Sequence, residues 1–303
     1  MRRSLEHAGG LVESSSPTAT SRTGLNKKPL PRITRFYLRS LANSATVQIQ
    51  YLKRRQVVKV LRGFKIHAHI LANFLATLRL LPTRRDCEFC GWSGFSFVPI
   101  YYVDRYRADV FCPRCRLSDR YRTLVHFLRH SKFGADVRAS RPRVLEIAPV
   151  ESSRQLLTAE FAARESVGFD ISNPWADVTG DLQNLPFPNE SFDLFLCYEV
   201  LDYIPDDKRA LAELWRVLKP GGCGILRVGF NEALPATIEY AKPDADDSYH
   251  IRRYGRDLPD RFRNPGFDVE LVDLVSGVSQ FERLRLGLDG QPVFFLRRPG
   301  GKM

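Results

Sequence analysis

Between residues 143 and 228, short apolar runs alternate with polar loops and helix-patterned stretches, and that alternation leaves few folds open to the chain. RPRVLEIAP (141–149) holds one run, bounded by Pro142 and Pro149 and too short to stand alone as a helix. ESVGFDIS (165–172) holds a second, closing on an acid, Asp170, and residues 177–179 suggest a brief third strand. A longer run spans Phe192 to Val200; an amphipathic helix, a Gly-Gly stop and a further strand follow in residues 205–230. Strands alternating with helices predict βαβ units and a mostly parallel sheet with helices on both faces. In such sheets ligands bind outside the carboxyl ends of the strands. Glu146, Asp170, Asp181, Tyr198 and Glu199 all fall there, so the sequence points them at one crevice. Period-two alternation puts Phe195 and Cys197 on one face of their strand and Leu196 and Tyr198 on the other.

Charge divides the chain. The net charge is +12, but residues 1–86 hold 17 Lys and Arg against 3 Asp and Glu, while the remainder holds 29 against 31. The basic character therefore belongs to the N-terminal arm. Such an arm suits an anionic partner, either RNA or an anionic membrane surface through residues 31–85, or packs on its own domain as a solvated basic helix. Residues 1–30 are rich in Ser, Thr, Gly and Arg and are expected to be disordered. Residues 31–82 turn helical and amphipathic, with Val57, Val60, Leu61, Phe64, Leu71, Phe74, Leu75 and Leu78 at three- and four-residue steps. The segment suits a membrane interface, its own domain or another subunit. The most apolar window, residues 66–78, is too short and polar to cross a bilayer. No secretory signal pattern is seen, and the expected location is cytoplasmic, at a membrane periphery if the arm binds lipid.

Cys87 and Cys90 form one CxxC pair and Cys112 and Cys115 another, 21 residues apart. Two such pairs read as a ribbon in which four thiolates hold one tetrahedral zinc ion. Four thiolates leave no open position, so the expected zinc is structural, holding together a unit too small for its own core. Residues 83–130 would hold this ribbon and a linking helix, LSDRYRTLVHFLRH (117–130). Arg114, Arg116, Arg120, Arg122 and Arg129 make that stretch cationic, either as a solvated face or towards an anionic substrate.

The blocks VLEIAP, GFDIS and DLQNLPFPNESFDLFLCYEVLDYIPDDKRALAELWRVLKPGG, with HIRRYGRDL further on, resemble the class I S-adenosylmethionine-dependent methyltransferases, specifically the methyltransferase type 11 group. The resemblance covers roughly residues 87–298. It implies a Rossmann-like seven-stranded sheet over residues 131–303, the last two strands (267–274 and 293–296) running antiparallel. It implies S-adenosylmethionine as cofactor, with Glu146, Ala148, Pro149 and Ser152 at the first turn, Asp170 on the ribose and Ile171 beside it. Asp181 and Leu182 would flank the adenine and Tyr198 the sulfonium. Ser152 or Ser153 would cap the next helix. Two departures stand out. The Gly-rich first turn of the group is Ala148-Pro149 here, and a His-x-x-Glu-His stretch common after the fourth strand reads Glu199-Val-Leu-Asp202-Tyr203, without either histidine, so that Glu199 or Asp202 would stand in. These two acids and His250 are the candidate catalytic groups, and His250, Arg252 and Tyr254 the candidate acceptor-binding residues. Residues 231–250 read as a polar insertion of the kind that serves as a lid or binding loop.

The expected activity is methyl transfer to an unidentified acceptor; the resemblance suggests a small molecule, a saccharide or a lipid-linked intermediate. An RNA methyltransferase using arm and ribbon for phosphate contacts is a second reading. A non-catalytic scaffold that has lost the reaction is a third. The sequence leaves the oligomeric state open.

Overall fold

A computed structural model of the chain describes residues 68, 71–75, 80, 84–101, 106–244 and 249–300. The expected disordered segment 1–30 lies outside these residues, as does most of the basic segment 31–82. Of the latter, residues 71–75 are helical.

The ribbon comes first. Strands β1 (Arg85–Cys87) and β2 (Trp92–Gly94) pair antiparallel, as do β3 (Val98–Tyr101) and β4 (Tyr106–Phe111). The first cysteine pair sits in the β1–β2 turn and the second in the turn that follows β4, closed by the Phe111–Ser118 bridge, and the two pairs turn alike. Gly91 N–H donates to the Cys87 carbonyl and Arg116 N–H to the Cys112 carbonyl, both at 2.9 Å. The residue after each pair is left-handed, Gly91 at φ 68° and Arg116 at φ 63°. Cys87, Trp92, Phe97 and Cys112 form a small core of their own. Asn73 docks on the ribbon, its Oδ1 accepting from Phe95 N–H at 2.9 Å and its Nδ2 donating to the Ser96 carbonyl at 2.8 Å.

Helix α1 (Asp119–His130) and α2 (Lys132–Ser140) lead into the sheet strands β5 (Arg143–Ile147), β6 (Glu165–Asp170), β7 (Val178–Thr179), β8 (Phe192–Tyr198) and β9 (Leu218–Arg227). Helix α3 (Ser153–Glu160) joins β5 to β6, and α4 (Asp207–Val217) joins β8 to β9. A two-stranded arm follows, β10 (Ile238–Asp244) with β11 (His250–Arg253), then α5 (Leu258–Arg263), β12 (Asp268–Val272), α6 (Gln280–Leu286) and β13 (Val293–Arg297). The sheet order is β12-β13-β9-β8-β5-β6-β7, parallel from β9 to β7, with β13 inserted antiparallel between β9 and β12. This is the expected α/β class, seven strands and antiparallel end included. Connections from β5 and β8 depart to opposite sides, so the crevice between their carboxyl ends is the topological switch point.

Both faces of the sheet are buried, as the continuous apolar runs require. Phe195 and Cys197 face the core under α4 and α5, whereas Leu194, Leu196 and Tyr198 face the core under α1 and α3. Gly224 stands opposite Phe195 in the β8–β9 register, and a β-carbon there would lie 2.0 Å from the ring. Only glycine lets that ring lie flat against the neighbouring strand.

Helix α1 departs from the solvated cationic face admitted by the sequence. Arg122 is buried, donating to the carbonyls of Asp109, Val110, Leu117, Leu286 and Gly287 while lying 3.7 Å over the Phe97 ring. It ties ribbon, helix and C-terminal segment together, and it survives burial because every donor finds an acceptor. Arg129 pairs with Glu160. The polar stretch 231–250 also differs from a simple loop, since its second half builds the β10–β11 arm. Among the described residues no helix is long and apolar enough to cross a membrane.

Candidate functional site

The first turn after β5 departs from glycine in sequence but not in shape. Ala148 is left-handed at φ 55°, held by its N–H donating to the Phe169 carbonyl at 2.9 Å. Glu199, just past the end of β8, is left-handed too at φ 58°. Two non-glycine residues in this region, at the ends of the two central strands, mark strain of the kind that clusters at functional sites.

Around that switch point several buried polar atoms lack a hydrogen-bond partner: Glu146 Oε1, the Tyr198 hydroxyl, Arg120 Nε and Asp202 Oδ1. Such atoms are costly unless something supplies a partner. Burial pushes the Glu146 carboxyl up to about 7 from its ordinary 4.5, against the pull of Ser153, Tyr121 and Arg154. Burial raises the Asp202 carboxyl as well, and the charge of Glu199 adds to it. Tyr121 stacks on Tyr198 with ring centroids 5.4 Å apart, so α1 lines this side of the crevice.

On the β5–β6 side a cleft opens between the first turn and the β6–β7 loop, lined by Glu146, Pro149, Ser153, Gly168, Trp175 and Asp177. Asp170 Oδ1 accepts from the N–H groups of Ser172 and Asn173 at 2.8 and 2.9 Å, which fixes the carboxylate at the end of β6. Asn173 Nδ2 donates to the Pro149 carbonyl, tying the two loops to each other. Ile171 and Trp175 stand exposed beside Asp170 in the chain. Leu182 is buried, and the neighbouring Asp181 carboxylate accepts from Gln183 N–H and Nε2. Neither candidate serine caps α3 in the usual way: Ser152 makes no capping bond, and Ser153 Oγ donates to the Val150 carbonyl at 2.6 Å.

On the β8–β9 side the candidate residues separate into two kinds. Asp202 and His250, 48 positions apart, come together with Asp202 Oδ2 3.9 Å from His250 Nε2, and Gly229 N–H reaches the same oxygen at 3.3 Å. Tyr203 packs on the His250 imidazole at 4.7 Å between centroids. Glu199 is engaged by Arg227 at 2.8 Å, with Arg120 at 3.5 Å. Arg252 is buried and donates to the carbonyls of Leu201, Ile204 and Pro205, while the Tyr254 hydroxyl donates to Asp207 at 3.0 Å. These two side chains brace the turn after β8 that carries Asp202. Arg227 and Asp289, 2.6 Å apart beneath Glu199, carry almost no sequence signal. The sole hint was an arginine in an otherwise apolar strand.

In the ribbon, Cys87 and Cys115 sulfurs lie 3.7 Å apart, as do those of Cys90 and Cys112, and all four fall within 4.8 Å of one another. Four sulfurs about 2.3 Å from a tetrahedral zinc ion stand ~3.8 Å apart, so the donor set fits that ion.

A family model described as a methyltransferase domain matches residues 138–226. An uncharacterized methyltransferase of Schizosaccharomyces pombe is 40% identical over 80 residues, covering 25% of this chain and 29% of that protein. The phthiotriol/phenolphthiotriol dimycocerosates methyltransferase of Mycobacterium tuberculosis is 53% identical over 45 residues, covering 15% and 17%. The chain thus spans less than a third of the length of either curated relative. Among solved structures, an S-adenosylmethionine dependent methyltransferase from Mesorhizobium loti aligns with 56% of this chain and 100% of its own. Its TM-score is 0.35 and its sequence identity 17%. The domain match covers β5 through most of β9, the part of the sheet that forms the crevice.

Proposed function

We propose that this protein transfers a methyl group from S-adenosylmethionine to an acceptor held beside Asp202 and His250. The observation that carries the reading is the coincidence of the methyltransferase-domain match with a cluster of unpartnered buried polar atoms at the switch point of the same sheet. The residues present fit the cofactor. Asp170, with one oxygen spent on the backbone, offers the other to the ribose hydroxyls, and Ile171 and Leu182 offer apolar surface to the adenine beside Asp181. Glu146, with the turn Ala148-Pro149 and Ser152 above it, supplies a carboxylate for the cationic end, and Tyr198 a ring beside it. When bound, the cofactor supplies an electrophilic methyl carbon on a sulfonium.

The chain's part is alignment, exclusion of water and, for a hydroxyl acceptor, removal of a proton. His250 accepts that proton, and the Asp202 carboxylate 3.9 Å from Nε2 stabilises the imidazolium so formed. Glu199, tied to Arg227 and Arg120, shapes the end of β8, while Arg252 and Tyr254 hold the turn that positions Asp202. In the ribbon Cys87, Cys90, Cys112 and Cys115 would hold a structural zinc ion, with no open position for chemistry. A small-molecule, saccharide or lipid-linked acceptor suits the exposed aromatic rings of Tyr203 and Tyr249 near His250.

Methyl-labelled cofactor offered with fractionated cell extract tests the proposal. Label is expected in the lipid or small-molecule fraction, falling ~10²- to 10⁴-fold for Asp202→Asn while cofactor affinity is kept. Label in RNA would instead make the basic arm a nucleic-acid contact. No label in any fraction, from protein shown to bind cofactor, would overturn the proposed activity.

A further inference from the structure

Apart from the four cysteines, the described residues hold one other set of side chains with metal-ligand geometry. Glu88 lies between the two cysteines of the first ribbon turn, and His126 and His130 lie one turn apart on α1. Spacing of four on a helix puts two side chains on one face, and here that face meets the ribbon. His126 Nδ1 stands 2.9 Å from Glu88 Oε2, and His130 Nε2 stands 3.3 Å from Glu88 Oε1. The two rings lie 4.6 Å apart, and all three donor atoms fall within 4.8 Å of one another. Donors ~2.0–2.2 Å from a zinc ion are spaced by ~3.3–3.6 Å; the 2.9 and 3.3 Å contacts lie at or just below that spacing, so small side-chain shifts would admit an ion. A carboxylate accepting one N–H from each imidazole is the simpler arrangement and the one a metal-binding test must beat.

Two features favour an ion. Burial is graded across the set, with His126 side chain 9% exposed, Glu88 25% and His130 59%, so one side stays open for entry and for a water ligand. The set is also braced from outside: Arg129, between the histidines, donates to the Glu88 carbonyl at 2.6 Å and pairs with Glu160, holding knuckle and helix in place. Fixed ligands lose less freedom on binding. We propose that Glu88, His126 and His130 form a second metal site, taking one divalent ion of the zinc type across the seam between ribbon and helix. Two imidazoles and a carboxylate suit zinc, nickel or copper rather than magnesium or calcium. Since α1 packs on the sheet through Leu124 and Leu128, the ion would lock the ribbon to the domain that holds the crevice. The inference relies on the four-cysteine site only in needing a folded ribbon.

Elemental analysis of the full chain dialysed against zinc, followed by cobalt substitution, tests it. Wild type is expected to hold two ions, and His130→Ala, exposed enough to leave the fold intact, one. Glu88→Gln should behave as His130→Ala. The cobalt–thiolate charge-transfer band should be equally strong in all three. One ion in wild type with a full thiolate band, or two ions retained in His130→Ala, would overturn the second site. Loss of the thiolate band in wild type would instead count against the four-cysteine reading.

Discussion

Replacing Glu146 by glutamine should stabilise the ligand-free protein, and increasingly so as pH rises. The side chain is 2% exposed, its Oε1 has no partner, and burial pushes its carboxyl from 4.5 to about 7. The unfolded glutamate loses its proton near 4.5 and the folded one near 7, so folding takes up a proton between those values. The stability tied to the protonated form is fully present below 4.5 and is lost as pH rises through 7. At 1.36 kcal/mol per unit, the ionised carboxylate costs the fold ~3 kcal/mol above pH 7. Glutamine keeps the size and carries no charge. Urea unfolding of both proteins at pH 5, 6, 7 and 8, without ligand, should show midpoints that lie close at pH 5, separate between pH 5 and 7 and change little from pH 7 to 8. With a slope of ~3 kcal/mol per molar urea, the gap at pH 8 approaches ~1 M. The same substitution should weaken cofactor binding, since a group that costs stability when empty is retained for what it binds. A gap independent of pH, or a wild type that gains on the variant as pH rises, would mean that the buried Glu146 carboxylate does not carry this cost.

Further outcomes follow from the packing and the ribbon. Gly224→Ala places a methyl 2.0 Å from the fully buried Phe195 ring and should cost ~1–3 kcal/mol of stability in urea unfolding; an unchanged midpoint would contradict the β8–β9 register. Stripping metal with a strong chelator should unfold the ribbon, seen as a shift in the fluorescence of the buried Trp92, because a structural zinc site carries the folding free energy of a unit this small. Cys112→Ala should give the same spectrum without chelator, and a ribbon that keeps its native spectrum in either case would remove zinc from the account.

The sheet was legible because its strands are buried on both faces, so Val144–Ile147 and Phe192–Tyr198 read as apolar runs broken only by Glu146 and Asp193, in an order that follows from βαβ connection rules. The strand-end acids were legible for the same reason. What escaped depends on partners remote in sequence. Arg122 reads as one more surface cation until five carbonyls, two of them more than 160 residues away, converge on it. The β10–β11 arm is mostly exposed, so its polar sequence carries no burial pattern to separate strand from loop. Arg252 and Tyr254 look like ligand-binding groups in sequence, yet their polar atoms are consumed by the turn after β8 and by Asp207. Ala148 is the converse case: the sequence departs from glycine, while the backbone keeps the left-handed turn that glycine would adopt.

Calorimetric titration of S-adenosylmethionine into the zinc-loaded wild type and into Asp170→Ala asks whether the crevice holds this cofactor. Asp170 is fixed by two backbone N–H groups at the end of β6, and each hydrogen bond from a ribose hydroxyl to a carboxylate contributes ~1.5–3 kcal/mol. The wild type is expected to bind at one site per chain with micromolar affinity, and the variant at least ~10-fold more weakly. A folded, zinc-loaded wild type that takes up no cofactor would contradict the proposed methyl transfer and leave the crevice to some other ligand.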